Sequence, residues 1–365
     1  MLNSTLSSER QQCWETLHAA GVVTNELPPE DASEANVNQA WYIRVMLGFS
    51  GWLGALFLVG FVGIGFEFVL KHALLSLSLG GAVCAVAYVI LSVKQSNDFM
   101  QQFGLAVSMA GQGLVLIGLF KGLDDHISLI ALAMLVFEVG LLIVMPNLIH
   151  RFLSGLGAVW ALCYWLDSQG IGQLARGLIA LLICVVWWSS VWYRYQKIAR
   201  PLAFALSFAL LCFEVSSVMN PLAMLVAHRV SAPSPYVVWI GTSLLNVALL
   251  GSTLLVLQRE AIALSQRLAI FSLAAMALVA VSAYFMPGFA AALLLLMIAF
   301  AHGSRILTGI SVLAMLGFLA RFYYQLQMDL LDKSIVLAIS ALSLFALRSV
   351  MQRLFPTTTM EQDHV

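Results

Sequence analysis

Three glutamates lie inside long apolar stretches of this 365-residue sequence, namely Glu67, Glu138 and Glu214. Placing a charged side chain at the centre of a bilayer costs about 2.5–3.5 kcal/mol on insertion scales, so a glutamate found there is a functional candidate by default. A carboxyl group at such a depth can relay a proton or bind a cation. We therefore treat the three glutamates as a candidate intramembrane polar site.

Glu138 is the strongest of these candidates, because it lies near the middle of its apolar run. Two interpretations of it stay open: a proton- or cation-binding group, and a structural hydrogen bond inside a helix bundle. Glu67 and Glu214 lie nearer the ends of their runs. For these two, the sequence favours side chains that reach the polar headgroups, with Glu67 pairing with Lys71 one helical turn later.

A second group of candidates lies between the last two apolar runs, in residues 321–334. This stretch contains Tyr323, Tyr324, Gln325 and Lys333, and its apolar residues recur every four positions. That spacing predicts an amphipathic segment at the membrane surface, whose aromatic side chains are available to dock another protein. The alternative interpretation is that the aromatic residues only anchor the helix ends in the interface.

No catalytic or metal-binding motif accompanies these candidates. The sequence contains no Walker loop, no dinucleotide-binding glycine pattern, no His-Glu-x-x-His pair and no Gly-x-Ser-x-Gly. Its five cysteines lack ligand spacing. Most histidines stand at the ends of predicted helices, where a solvated or capping role is expected: His72, His126, His150, His228 and His302. We therefore expect no catalytic residue, no metal and no cofactor, and the composition disfavours an enzyme.

The overall composition defines the environment in which these residues act. Hydrophobic residues make up 61% of the chain, charged residues only 10%, and the mean hydropathy is +0.93. Soluble domains usually carry about 25% charged residues, so a soluble or disordered protein is excluded. The 18 basic and 18 acidic residues balance, which leaves no basic field for nucleic acid. The sequence predicts a polytopic membrane protein whose main partner is the lipid bilayer.

Twelve apolar runs, separated by short polar segments, predict an all-α transmembrane bundle. The predicted spans are 46–69, 72–93, 103–120, 127–145, 149–166, 174–193, 200–219, 236–257, 267–286, 288–302, 305–322 and 332–350. The short run 288–302 and its successor 305–322 form either two crossings or a re-entrant pair, so the expected number of transmembrane helices is ten to twelve.

The polar ends of the chain and the loop charges predict its organisation. Residues 1–45 are polar and acidic and form a short cytoplasmic helical region, 46–350 form the transmembrane domain, and 351–365 form a polar tail. Lys and Arg favour the loops on one side of the bundle by two to one. The positive-inside rule then places both termini in the cytoplasm.

Several segments resemble a bacterial membrane family known as domain of unknown function 4401. They are Phe322-Tyr323-Tyr324-x-Leu326, Leu330-Leu331-x-Lys333-Ser334, Gly51-Trp52-Leu53, Gly111-Gln112-Gly113-Leu114 and His150-Arg151-Phe152-Leu153-Ser154. The resemblance covers about residues 41–350. It implies a bacterial inner membrane and a membrane-anchored protein partner with an extracytoplasmic domain. It implies no particular reaction.

Two hypotheses for the function follow from these observations. In the first, the protein is the membrane subunit of an envelope complex and docks an extracytoplasmic partner through its last outer loop. In the second, it is a transporter or permease for a small or lipid-like solute and uses Glu138, with Glu67 and Glu214, as a polar path. An intramembrane enzyme is the weakest alternative, because no nucleophile and base can be paired.

Overall fold

The computed structural model describes six stretches of the chain and a few isolated positions outside them. The stretches are 67–93, 98–124, 126–189, 195–218, 234–284 and 286–325. The structure leaves undescribed the predicted terminal region 351–365, all of 1–45 except Thr16, and most of the predicted spans 46–69 and 332–350.

Eleven α-helices make up most of the described residues, and no β-strand occurs among them. The helices are α1 (Glu67–Lys71), α2 (Ala73–Ser92), α3 (Asp98–Gly122), α4 (Ile127–Val144), α5 (Leu148–Ser168), α6 (Ala175–Trp188), α7 (Gln196–Val218), α8 (Pro235–Arg259), α9 (Arg267–Ser282), α10 (Phe289–Ala301) and α11 (Arg305–Gln325). A 3₁₀ turn, Gly172–Leu174, leads into α6. The predicted all-α fold is confirmed, and ten of the twelve predicted spans coincide with a helix.

Local sequence explains where α4 ends and α5 begins. Pro146 lacks the backbone N–H that a continuing helix needs, so α4 stops just before it. The Asn147 side chain then accepts hydrogen bonds from two backbone N–H groups in the first turn of α5, at 2.8 and 3.1 Å. This short connection makes α4 and α5 a packed helix pair.

Six of the described helices are long and apolar enough to cross a membrane: α2, α3, α4, α7, α8 and α11. The apolar helices α6, α9 and α10 are shorter. At 1.5 Å per residue, the 13 residues of α10 extend about 20 Å, which is less than the roughly 30 Å of a hydrocarbon core. The doubtful predicted span 288–302 is thus a helix, and it is shorter than a full crossing requires.

The chain divides into two compact units. The first unit comprises residues 1–67 and 80–112, and its described part contains segments of α2 and α3. These segments pack closely because Gly111 has no side chain: a Cβ there would lie 2.6 Å from Cys84 Sγ. The Cys84 thiol also donates to the Ser108 carbonyl oxygen at 3.6 Å. Small residues therefore mediate this helix contact, as they commonly do in membrane bundles.

The second unit comprises residues 68–79 and 113–365, and it contains helices α4 to α11. Helix α5 packs against both α4 and α7, α6 packs against α7 and α8, and α10 packs against α8 and α11. One cluster of buried apolar side chains joins α5, α6, α7, α8, α10 and α11. Helix α10 is buried on most sides, with Ala291, Leu294, Leu295 and Ile298 fully enclosed. This unit holds the polar groups described next.

Candidate functional site

Glu138 lies just past the middle of α4 and points into the contact with α5. It is 3% exposed, and the backbone of Gly157 on α5 leaves room for its carboxyl group: a Cβ at that position would lie 3.1 Å from Glu138 Cδ. The carboxyl group interacts with the Ser154 hydroxyl on α5. Its Oε2 atom is buried and has no hydrogen-bond partner among the described residues.

A buried Ser–His pair continues from this carboxyl group along α5. The Ser154 hydroxyl lies 3.3 Å from His150 Nδ1, one helical turn earlier, and both side chains are fully buried. The expectation of a solvated or capping His150 is therefore wrong. Its position near the start of α5 is as predicted, but its ring faces the interior. Glu138, Ser154 and His150 thus form a connected row of protonatable or hydroxyl groups from mid-helix towards one end of the bundle.

Glu214 takes part in a second buried polar cluster, between α7 and α6. Its Oε1 atom lies 3.8 Å from Nε of Arg176, and the two side chains are 0% and 7% exposed. The expectation that Glu214 reaches the headgroups is therefore wrong. Arg176 further donates to Gln173 Oε1 at 2.8 Å and to the Thr242 hydroxyl at 3.5 Å. The guanidinium carbon lies 5.9 Å from the centre of the Phe213 ring.

Two glycines allow α6 and α8 to enclose this arginine. Gly177 on α6 lies against the Leu244 side chain and the Gly241 carbonyl oxygen, where a Cβ would overlap both. Gly241 on α8 in turn lies against the Gln173 carbonyl. Close backbone approach of this kind requires residues without a side chain. This close approach of α6 and α8 leaves Arg176 only 6% exposed.

The structure does not gather the three predicted glutamates into one contact. Glu138 lies between α4 and α5, Glu214 lies between α7 and α6, and Glu67 is the exposed first residue of α1. The sequence interpretation also missed Arg176 and Ser154. Both lie inside predicted spans, Ser154 in 149–166 and Arg176 in 174–193.

The aromatic residues of the predicted docking loop are partly described. Helix α11 continues past its predicted end to Gln325. Tyr323 and Tyr324 occupy its last turn, with ring centroids 5.6 Å apart and an angle of 77°. Tyr324 is 79% exposed. The side chain of Gln325 and the whole of Lys333 lie outside the described residues.

The six long apolar helices and the buried carboxyl groups between helices define a multi-pass α-helical membrane protein. Among the described residues, no group of three His, Cys, Asp or Glu side chains could hold a metal ion. The chain belongs to the family described as "Domain of unknown function (DUF4401)", whose family model matches residues 40–354. Searches of curated proteins and of solved structures found no match. The family assignment agrees with the resemblance noted in the sequence.

Proposed function

We propose that the protein is a membrane transport protein in which Glu138 binds and releases a proton during the transport cycle. The main support for this proposal is the buried Oε2 atom of Glu138, which has no hydrogen-bond partner among the described residues. A buried polar atom without a partner usually costs about 1–3 kcal/mol, so its presence calls for a reason. A functional need to take up and release a proton would be such a reason.

Ser154 and His150 supply the route by which the proton would reach Glu138. A hydroxyl group both donates and accepts a hydrogen bond, and an imidazole ring can do the same through its two nitrogens. The 3.3 Å separation of Ser154 and His150 allows such a bond. His150 lies in the first turn of α5, at the end of the bundle that the positive-inside rule places in the cytoplasm. The proton would therefore exchange with the cytoplasmic side.

Replacing Glu138 with Gln should lower proton uptake by about a hundredfold, the size of effect typical of a lost proton-transfer group. The amide keeps the shape of the side chain but cannot release a proton at neutral pH. Uptake is measured with a pH-sensitive dye enclosed in proteoliposomes under an imposed membrane potential. Ser154→Ala, which removes the connecting hydroxyl, should give a smaller loss.

The matched control is Glu67→Gln, because Glu67 is exposed at the start of α1 and lies outside the proposed route. That variant should retain proton uptake. The proposed role would be ruled out if the wild-type protein and Glu138→Gln took up protons equally. Size-exclusion chromatography must show that both of these proteins are intact. The role would also be ruled out if wild-type proteoliposomes took up no more protons than empty liposomes.

A second candidate function is supported by the exposure of Tyr324. We propose that the end of α11 docks the extracytoplasmic part of a membrane-anchored partner, as the membrane subunit of an envelope complex. Exposed tyrosines contribute a large apolar surface and a hydroxyl group at low entropic cost, which suits protein interfaces. Membrane anchoring of the ring is the competing explanation. The two functions are compatible with each other in one complex.

The docking proposal predicts loss of a copurifying partner when Tyr323 and Tyr324 are both changed to Ala. The protein is extracted from its native membranes in mild detergent, and bound chains are identified by mass spectrometry. Tyr236→Ala is the matched control, since Tyr236 is 80% exposed at the start of α8. A partner that is retained by the double variant, or that both variants lose equally, would contradict docking through α11.

For location, we propose the bacterial inner membrane with both termini in the cytoplasm. The two-to-one bias of Lys and Arg supports this orientation. Arg176 stands at the outer end of the predicted span 174–193, but it is buried in an ion pair and is not a loop cation. Removing it from the count strengthens the bias.

A further inference from the structure

A cavity of about 820 Å³ opens in the second unit, where several helix ends meet. The ends of α6 and α8, the first turns of α7 and the connection from α10 to α11 line it. These helix ends lie on the side that the loop charges assign to the cytoplasm. Cavities of about 300–1,000 Å³ are typical of small-molecule sites. The size therefore suits a ligand of moderate dimensions.

Among the described residues, the two charged side chains that line this cavity are both basic. Arg200 in α7 and Arg259 at the end of α8 line it, and no carboxylate does so among the described residues. Arg259 donates from Nη1 to the Ala301 carbonyl oxygen at 2.9 Å, which fixes its position at the end of α10. Arg200 is exposed and has no ion pair with any described residue. The cavity thus offers guanidinium groups to an anion.

An aromatic wall lies beside these arginines. The His302 ring centroid is 5.0 Å from that of Trp187 and 5.2 Å from that of Trp188. These three rings line one side of the cavity, beside the two arginines.

We propose that this cavity binds a phosphate-bearing anion. Arg200 and Arg259 contact the phosphate, because guanidinium groups match phosphate oxygens in pairs. The ring wall packs against the apolar part of the ligand. Basic pockets between transmembrane helices on the cytoplasmic side bind anionic lipid headgroups, and a soluble phosphate compound offers the same chemistry. The site shares no residue with the proposed proton route.

The test uses the full-length protein in nanodiscs and distinguishes the two sources of phosphate. In one arm, the nanodiscs contain only phosphatidylcholine and pyrophosphate is added in solution. In the other arm, phosphatidylglycerol replaces part of the phosphatidylcholine and no soluble phosphate is present. Binding is followed by tryptophan fluorescence and by the unfolding temperature, which a bound ligand raises. A response in the first arm would show that the cavity binds a soluble anion. A response in the second arm would show that it binds a lipid headgroup.

Arg200→Gln should weaken the observed binding by about ten- to hundredfold, as expected for the loss of a hydrogen bond to a charged group. Trp188→Ala removes part of the ring wall, so it should also weaken binding. Arg267→Gln is the matched control, because Arg267 is exposed at the start of α9 and does not line the cavity. Both arms giving no response, or equal weakening by Arg200→Gln and Arg267→Gln, would overturn the proposal.

Discussion

Replacing Glu214 with Leu should lower the free energy of unfolding by about 3–5 kcal/mol, which is the usual cost of removing one partner of a buried ion pair. The Arg176 guanidinium would remain enclosed between α6, α7 and α8 without its carboxylate. Hydrogen bonds to Gln173 and Thr242 satisfy some of the guanidinium N–H donors, but they do not neutralise its positive charge. Unfolding is measured by temperature in detergent or by titration with a denaturing detergent.

The double variant Arg176→Met/Glu214→Leu separates the ion pair from simple loss of packing. It removes both charges and keeps apolar side chains of similar length, and such replacements are often neutral or stabilising. We expect the double variant to recover most of the stability that Glu214→Leu loses. Arg267→Met controls for loss of an exposed arginine and should change stability by at most about 0.5 kcal/mol. A double variant as unstable as the sum of the two single variants would show that the pair itself contributes little.

The helices could be predicted from sequence because the length and composition of each apolar run determine whether that run forms a transmembrane helix. A run of about 20 apolar residues has one stable form in a bilayer, where every backbone N–H and C=O must be hydrogen-bonded within the segment. Breakers such as Pro146 fix where the runs end. Ten predicted spans therefore coincide with observed helices. The predicted span 305–322 ends three residues short of α11, because helix boundaries carry a weaker sequence signal than helix interiors.

The polar contacts between helices were much harder to predict. The sequence shows which residues share a face of one helix, but it does not show which helix packs against that face. Arg176 lies on α6, whose contact with α8 depends on the fit of Gly177 and Gly241, whereas Glu214 lies on α7. Neither residue alone indicates its partner. The pair became visible only when α6, α7 and α8 were seen together.

The contact of Glu138 with Ser154 could have been inferred. The two residues lie eight positions before and eight positions after Pro146. Because α4 and α5 are joined by a very short connection, residues at equal distances from it lie at similar depth in an antiparallel pair. His150 is one turn from Ser154 on the same face. A search for polar residues placed symmetrically about the break would have found this row.

Gly288→Ala should destabilise the protein by about 2–5 kcal/mol, because two separate costs act at this position. Gly288 has φ of +90°, a conformation that costs an alanine about 1–2 kcal/mol. A Cβ there would also overlap the Phe318 ring of α11, and overpacking of this kind costs about 1–3 kcal/mol. The effect is measured as the change in unfolding temperature and in the free energy of unfolding.

Gly170→Ala separates the two costs. Gly170 has φ of +75°, but a Cβ there would meet no heavy atom within 4 Å. This variant should lose only the backbone contribution of about 1–2 kcal/mol. Phe318→Leu combined with Gly288→Ala should cost less than the sum of the two single changes, since a smaller side chain relieves the overlap. Strict additivity would show that the ring does not contact this glycine.

The loss of stability expected from Gly288→Ala should also affect other helices of the second unit, because α10 packs against them. Gly288 is the residue from which α10 begins, and the first turn of that helix contains the buried Ala290, Ala291 and Ala292. A shift at this point disturbs the packing of α10 against α8, the same helix that carries Thr242 beside Arg176. Gly288→Ala and Glu214→Leu should therefore be non-additive in combination. Full additivity would show that α10 and the buried ion pair stabilise the bundle independently.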